Sequence, residues 1–128
     1  MTHAEFAAFV TQFLADLGDT LPTANTEYAN GGDEEFANSA FANFETTAKN
    51  QGVTRELVNR VFRDKHAQAI EGWRRGIEQK REGIRGRMID MIAYDIILMA
   101  MYLDDSTGTV TKIAPGLGRD DKGRIVPV

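Results

Sequence analysis

One segment, Ile84–Leu103, constrains the fold most strongly, because it is apolar nearly all the way round a helix. Its uncharged run, Ile96–Leu103, is only eight residues long, and charged residues interrupt the rest. A helix that crosses a bilayer needs about 20 consecutive apolar residues, so this segment predicts a buried helix and not a membrane anchor. A helix that is apolar on every side belongs in the interior of a domain. We therefore expect residues 84–103 to form the central helix of a helical core.

Three further segments carry apolar residues at steps of three and four, which predicts helices over residues 3–17, 33–50 and 55–75. The first should start at a capping box that begins with Thr2, and it should end near Gly18. A polar loop would follow it. Together with the 84–103 helix, these segments predict an all-α fold, a four-helix bundle.

The chain has 128 residues and 42% apolar content, which fits one hydrophobic core. We expect a helical domain over residues 1–105 and a C-terminal tail over 106–128 that packs on the bundle. For the tail, an irregular extended chain and a small hairpin around Asp121–Gly123 both fit the spacing of Gly and Pro. The chain contains no cysteine, which excludes disulfides and thiolate metal sites.

The net charge of −4 argues against general nucleic-acid binding, which usually requires a basic domain. A basic segment over residues 74–87 could still bind one small anion, although a solvated helix end is the simpler interpretation. The N-terminus lacks a basic segment that leads into an apolar stretch, so we predict no signal peptide and expect a cytoplasmic protein without membrane attachment.

Two polar residues interrupt or border the apolar stripe of the third predicted helix. His66 lies four residues after Phe62 and four before Ile70, inside the stripe. Lys65 lies on its flank, where a buried ammonium group would need a carboxylate or a ligand anion. A buried histidine with a structural hydrogen bond is the alternative to a functional role for His66.

The fourth predicted helix offers partners for these residues. Arg87, Asp90 and Tyr94 are spaced three and four apart and share one face, while Asp95 lies further round. Two carboxylates in a largely apolar helix must be paired, metal-bound or protonated. A structural Lys65–Asp90 or Arg–Asp pair would satisfy them. A Mg²⁺ or phosphate site between helices is the functional alternative.

The order of several short motifs resembles one known family. They are Tyr28-Ala29-Asn30, Lys65-His66, and Arg87-x-x-Asp90-x-x-x-Tyr94. Over residues 25–103 the chain resembles the small phage and prophage proteins with a nucleotide modification associated domain, which are similar to the MazG-like all-α NTP pyrophosphohydrolases. The resemblance implies a MazG-like helical bundle, a homodimer or larger homo-oligomer, and a role around phage nucleotides in the host cytoplasm.

The resemblance also implies roles for individual residues. In MazG-like enzymes, a Glu-Glu-x-x-Glu helix and a Glu-x-x-Asp helix chelate Mg²⁺ over a triphosphate. The second motif matches Arg87-x-x-Asp90, so Asp90 is the one retained ligand and the candidate for Mg²⁺. The first motif's helix matches the segment around Lys65 and His66. Basic side chains in place of carboxylates suit direct phosphate binding better than metal chelation.

Three functions follow as hypotheses. The first is a nucleotide-binding protein that sequesters or processes a nucleotide. The others are a divergent Mg²⁺-dependent NTP pyrophosphohydrolase, and a structural or partner-binding helical protein with a buried ionic network. Tyr28 and Asn30, in the loop predicted over 23–32, could hold a base, although ordinary turn chemistry also explains Asn30. The candidate ligand-binding residues are therefore Lys65, His66, Arg87, Asp90, Tyr94, Tyr28 and Asn30.

Overall fold

The computed structural model describes residues 1–105, 117–119, 121–122 and 124–127, with backbone alone for Tyr28 and for the strand residues near the C-terminus. In chain order the elements are α1 (His3–Ala29), a 3-10 turn (Glu34–Phe36), α2 (Ala42–Gln51), α3 (Arg55–Arg74), α4 (Ile84–Asp105), β1 (Leu117–Arg119) and β2 (Ile125–Pro127). The all-α class is confirmed. Within the described residues, no helix combines the length and apolar content that a bilayer span requires.

The first helix is much longer than predicted, and the expected end near Gly18 is wrong. It begins at the predicted capping box, in which Thr2 Oγ1 accepts from the Glu5 backbone N–H at 3.1 Å. It then continues through Pro22 to Ala29. A proline removes one backbone donor and need not end a helix whose other hydrogen bonds persist. Most of the loop predicted over 23–32 is consequently helical.

The second helix is shorter than the predicted 33–50. Asp33 caps the 3-10 turn by accepting from the Glu35 backbone N–H. The Ser39 side chain then bonds to the backbone where a helix would use a carbonyl: its Oγ accepts from the Phe41 backbone N–H at 3.0 Å. Such side-chain bonds compete with helical ones, so α2 starts only afterwards. It ends at Gly52, whose φ of 67° suits a glycine C-cap.

The third and fourth helices match the predictions over 55–75 and 84–103 to within one or two residues. The described chain separates into two compact units, Met1–Arg55 and Glu56–Val128. A boundary after Arg55 was not among the predictions from the sequence. The first unit buries Phe44 and Ala42 of α2, and the second buries residues of α3 and α4.

The prediction that α4 is the central, buried helix of the core is wrong for a single chain. Met101 and Leu103 are buried, but five large apolar residues of α4 are 39–58% exposed: Met88, Ile89, Ile92, Met99 and Tyr102. Four of them, all except Ile89, recur at helical spacing and form one face, which we call the exposed α4 face. The hydrophobicity of a segment shows that its burial is favourable. It does not show that the other helices of the same chain can bury every face of it.

The C-terminal strands pair antiparallel, with Leu117 opposite Pro127 and Arg119 opposite Ile125. Asp121 and Lys122 form a turn between them, so of the two alternatives for the tail the hairpin is observed. Gly123 of the predicted turn lies outside the described residues. The packing of this tail on the helices stays a prediction.

Candidate functional site

Two polar clusters join α3 to α4. Arg60, early in α3, pairs with Asp95, whereas His66, later in α3, meets Asp90, which precedes Asp95 in α4. The two helices therefore run antiparallel. The Asn59 network consists of Asn59, Arg60, Arg63 and Asp95. The His66 cluster consists of His66, Glu82, Arg87 and Asp90.

The Asn59 network is built around a fully buried amide. Asn59 is 0% exposed, and its Nδ2 donates to the Tyr94 carbonyl at 3.0 Å. Its Oδ1 accepts from Arg60 Nε at 3.0 Å. Asp95 Oδ1 accepts from Arg60 Nη1 at 2.9 Å and from Arg63 Nε at 2.8 Å. Charges and hydrogen-bond donors are therefore matched by partners across this interface.

Electrostatics agree with that geometry. Desolvation raises the pKa of Asp95, but hydrogen bonds from Arg60 and Arg63, together with their charges, outweigh it and leave the pKa below its usual value. Asp95 is therefore ionised and paired, which was the structural interpretation of the carboxylates on this helix.

The His66 cluster brings together groups from α3, from α4 and from the segment between them. His66 Nε2 lies 3.7 Å from Asp90 Oδ2. His66 Nδ1 lies 3.4 Å from Arg87 Nη1, which is itself 3.9 Å from Glu82 Oε2. One ligand atom each from His66, Glu82 and Asp90 lie within 4.8 Å of one another, so these three residues could hold a metal ion.

The His66 cluster is poorly matched in charge. Desolvation raises the pKa of Asp90, and a hydrogen bond to Glu82 and the charge of Glu82 raise it further. The charges of His66 and Arg87 oppose the shift without cancelling it. In addition, Arg87 Nε is buried and finds no hydrogen-bond partner in the described structure. The cluster thus combines a disfavoured carboxylate with an unused donor.

The structure brings together four of the seven predicted ligand residues. Arg87 and Asp90 approach His66 directly, and the ring of Tyr94 lies 5.7 Å from the His66 ring, centroid to centroid. Lys65 does not join them. It is exposed, and among the described residues it has no ion pair or hydrogen bond through its side chain, so the proposed Lys65–Asp90 pair is absent. A long lysine side chain at the edge of a stripe reaches water and needs no buried partner.

Tyr28 and Asn30 belong to the unit Met1–Arg55, whereas the His66 cluster belongs to the other unit. Tyr28 lies in the last turn of α1, and its side chain is outside the described part of the molecule. Asn30 is exposed and donates its backbone N–H to the Thr26 carbonyl at 3.0 Å, as expected of a turn that follows a helix. Their role in holding a base stays a prediction.

Sequence reasoning missed Glu82 and Asn59. Glu82 lies in the irregular segment before α4, where no helical period links it to His66. Asn59 had a usable signal: it precedes His66 by seven residues, so the two share one face of α3. A polar residue on that face indicates a buried hydrogen bond.

A groove of about 360 Å³ lies at the end of α3 and the start of α4. Trp73, Ile77 and Gly83 are among its lining residues. Trp73 follows His66 by seven residues on the same face of α3, about 10.5 Å along the helix axis. Gly83 directly follows Glu82, so the groove borders the segment that supplies the cluster's first carboxylate.

Comparison of the chain with protein-family models, curated proteins and solved structures finds no match. The residues that bear on function are therefore those of the His66 cluster and of the groove at the end of α3.

Proposed function

We propose that this protein binds a phosphorylated small molecule, a nucleotide in the first place, at the His66 cluster. The observation that carries the proposal is Arg87, whose buried Nε has no hydrogen-bond partner among the described residues while its Nη1 faces His66. A guanidinium group binds phosphate through two parallel N–H donors, and the unused Nε is one donor of such a pair. Such binding fits a cytoplasmic protein that sequesters or processes a nucleotide, in host cytoplasm if the protein is phage-encoded.

The groove favours a nucleotide over free phosphate. Its volume of about 360 Å³ lies in the range of small-molecule sites, about 300–1,000 Å³. Trp73 is 49% exposed and lines it. Stacking on an aromatic ring contributes about 1–3 kcal/mol per base. Since Trp73 and His66 share one face of α3, a base on Trp73 and a phosphate at Arg87 suit one extended ligand.

The test is calorimetric titration with a nucleoside triphosphate, a nucleoside and inorganic phosphate. We expect Arg87→Gln to weaken triphosphate binding at least about tenfold, since a charge-assisted bidentate contact is lost. Trp73→Ala should weaken nucleotide binding and leave phosphate binding unchanged. Arg74→Gln is the matched control, because Arg74 is exposed and paired with Glu71. Failure of the unmutated protein to bind any nucleotide at millimolar concentration contradicts the proposal.

A Mg²⁺-dependent NTP pyrophosphohydrolase is the second candidate, and the approach of Glu82 and Asp90 to His66 favours it. Hydrolysis of this kind uses a cation that neutralises phosphate oxygens and activates water. The discriminating assay is pyrophosphate release from nucleoside triphosphates with Mg²⁺ or Mn²⁺. An enzyme should lose turnover in Asp90→Asn, whereas a binding protein shows no turnover with either ion.

We also propose a homo-oligomer in which two copies pack through the exposed α4 face. α4 begins with the basic Arg85 and ends with Asp104 and Asp105, so antiparallel pairing sets the basic end of each helix against the acidic end of the other. Light scattering should give a multiple of 14.2 kDa, and Ile92→Asp should give the monomer. Val53→Asp, at an exposed position outside α4, is the control. A mass of 14.2 kDa for the unmutated protein contradicts this proposal.

A further inference from the structure

We propose that His66, Glu82 and Asp90 form a binding site for a divalent first-row transition-metal cation such as Mn²⁺ or Zn²⁺. Their ligand atoms already lie within 4.8 Å of one another. Ligands at about 2.1 Å from one tetrahedral ion lie about 3.4 Å apart. The His66–Asp90 distance of 3.7 Å is close to that separation. A bound ion would therefore draw the three side chains closer together.

Two properties of the cluster favour a cation. Glu82 and Asp90 each offer a carboxylate oxygen, and these oxygens lie within 4.8 Å of each other and of a His66 ring nitrogen. A divalent ion would neutralise both. His66 Nε2 faces Asp90, so one nitrogen and two oxygens point at the same region from three different positions in the chain.

The nitrogen ligand selects the class of metal. Mg²⁺ prefers oxygen ligands and retains several waters. Imidazole suits Zn²⁺ and other first-row transition ions, whose affinity for nitrogen-containing sites exceeds that of Mg²⁺. The cluster therefore fits a transition metal better than the Mg²⁺ that the family resemblance implies.

Arg87 competes with such a cation. Its Nη1 lies 3.4 Å from His66 Nδ1, so a guanidinium charge stands beside the imidazole that would bind the ion. Like charges repel, so Arg87 opposes a cation at His66. Removal of Arg87 should therefore strengthen metal binding, whereas the proposed function requires the same change to weaken nucleotide binding.

The experiment is titration of metal-free protein with Mn²⁺, followed by calorimetry and by the loss of the free Mn²⁺ electron-spin resonance signal. We expect one Mn²⁺ per chain and Mg²⁺ binding at least about tenfold weaker. Glu82→Gln and Asp90→Asn should each weaken Mn²⁺ binding at least about tenfold, because each removes a charged ligand. Arg87→Gln should strengthen it. Glu71→Gln, at an exposed carboxylate outside the cluster, is the control.

Three outcomes would overturn the proposal: no Mn²⁺ binding, Mn²⁺ binding that both carboxylate variants leave unchanged, or equal affinity for Mg²⁺. Far-ultraviolet circular dichroism of each variant shows that a loss of binding is not a loss of fold. Because no nucleotide is present in this titration, its failure is independent of the failure of nucleotide binding at Arg87.

Discussion

The two polar clusters between α3 and α4 contain similar residues and behave in opposite ways. In the Asn59 network, Asp95 meets two guanidinium groups and its pKa is lowered. In the His66 cluster, Asp90 meets another carboxyl group and its pKa is raised. The first network satisfies a fully buried amide, whereas the second leaves a guanidinium nitrogen that is buried and, in the part of the chain that the structure describes, has no hydrogen-bond partner.

This difference indicates which cluster stabilises the fold and which awaits a ligand. A buried network whose members are all paired fixes the packing of its helices, and its removal costs stability. A cluster with a disfavoured charge and an unused donor contributes little to folding, and such groups concentrate at functional sites. Three substitutions test the contrast, from the largest expected effect to the smallest.

Asn59→Ala should lower the free energy of unfolding by about 3 kcal/mol. The change removes the hydrogen bonds that Asn59 makes with the Tyr94 carbonyl and with Arg60, and it creates a cavity at a fully buried position. Urea unfolding followed by circular dichroism measures the effect. Asn50→Ala is the control, because Asn50 is exposed and substitution there should change stability by no more than about 0.5 kcal/mol. Equal effects at the two positions would contradict the structural role of the network.

Asp95→Asn should lower the free energy of unfolding by about 1 kcal/mol at pH 7. The effect is modest because the Asp95 side chain is 45% exposed and water screens its ion pairs. Its pKa is lowered by folding, so the ionised form stabilises the fold above the usual value of 3.8, and this contribution is lost as the pH falls through the folded-state pKa. Unfolding measured at pH 7 and pH 3 should show the variant and the unmutated protein converging at the lower pH. A difference of constant size would show that charge is not the cause.

Periodicity predicted much of this arrangement. It placed α3 and α4 correctly, and it brought Arg87, Asp90 and Tyr94 to the face that meets His66, because residues three and four apart share one side of a helix. Such spacing depends only on local geometry and therefore transfers from sequence to structure.

The features that periodicity missed depend on contacts between distant residues. Glu82 reaches the His66 cluster from an irregular segment, and no spacing rule covers such a segment. Lys65 was predicted, from the flank of the stripe, to join the site of Asp90, but one step of about 100° round the helix from His66 turns it towards water. The continuation of α1 through Pro22 and the exposure of the α4 face likewise depend on which neighbours a segment has, and a single sequence does not state this.

Asp90→Asn should change the free energy of unfolding least of the three substitutions, and the sign of that change separates a functional from a structural role. Loss of one partner of a buried ion pair would cost about 3–5 kcal/mol, which is the expectation if Asp90 only held the fold together. The raised pKa of Asp90 implies the opposite. Below the usual value of 3.8 the group is protonated in both states and no penalty exists; above the folded-state pKa the ionised form destabilises the fold. We therefore expect Asp90→Asn to raise the free energy of unfolding at pH 7 by about 0.5 kcal/mol or less, because the side chain is 44% exposed.

Urea unfolding of metal-free protein at pH 7 and pH 3.5, in parallel with Asp95→Asn, measures the sign of the change in the free energy of unfolding for both variants. A loss of several kcal/mol would make the two clusters equivalent and leave the His66 cluster as a structural ion pair.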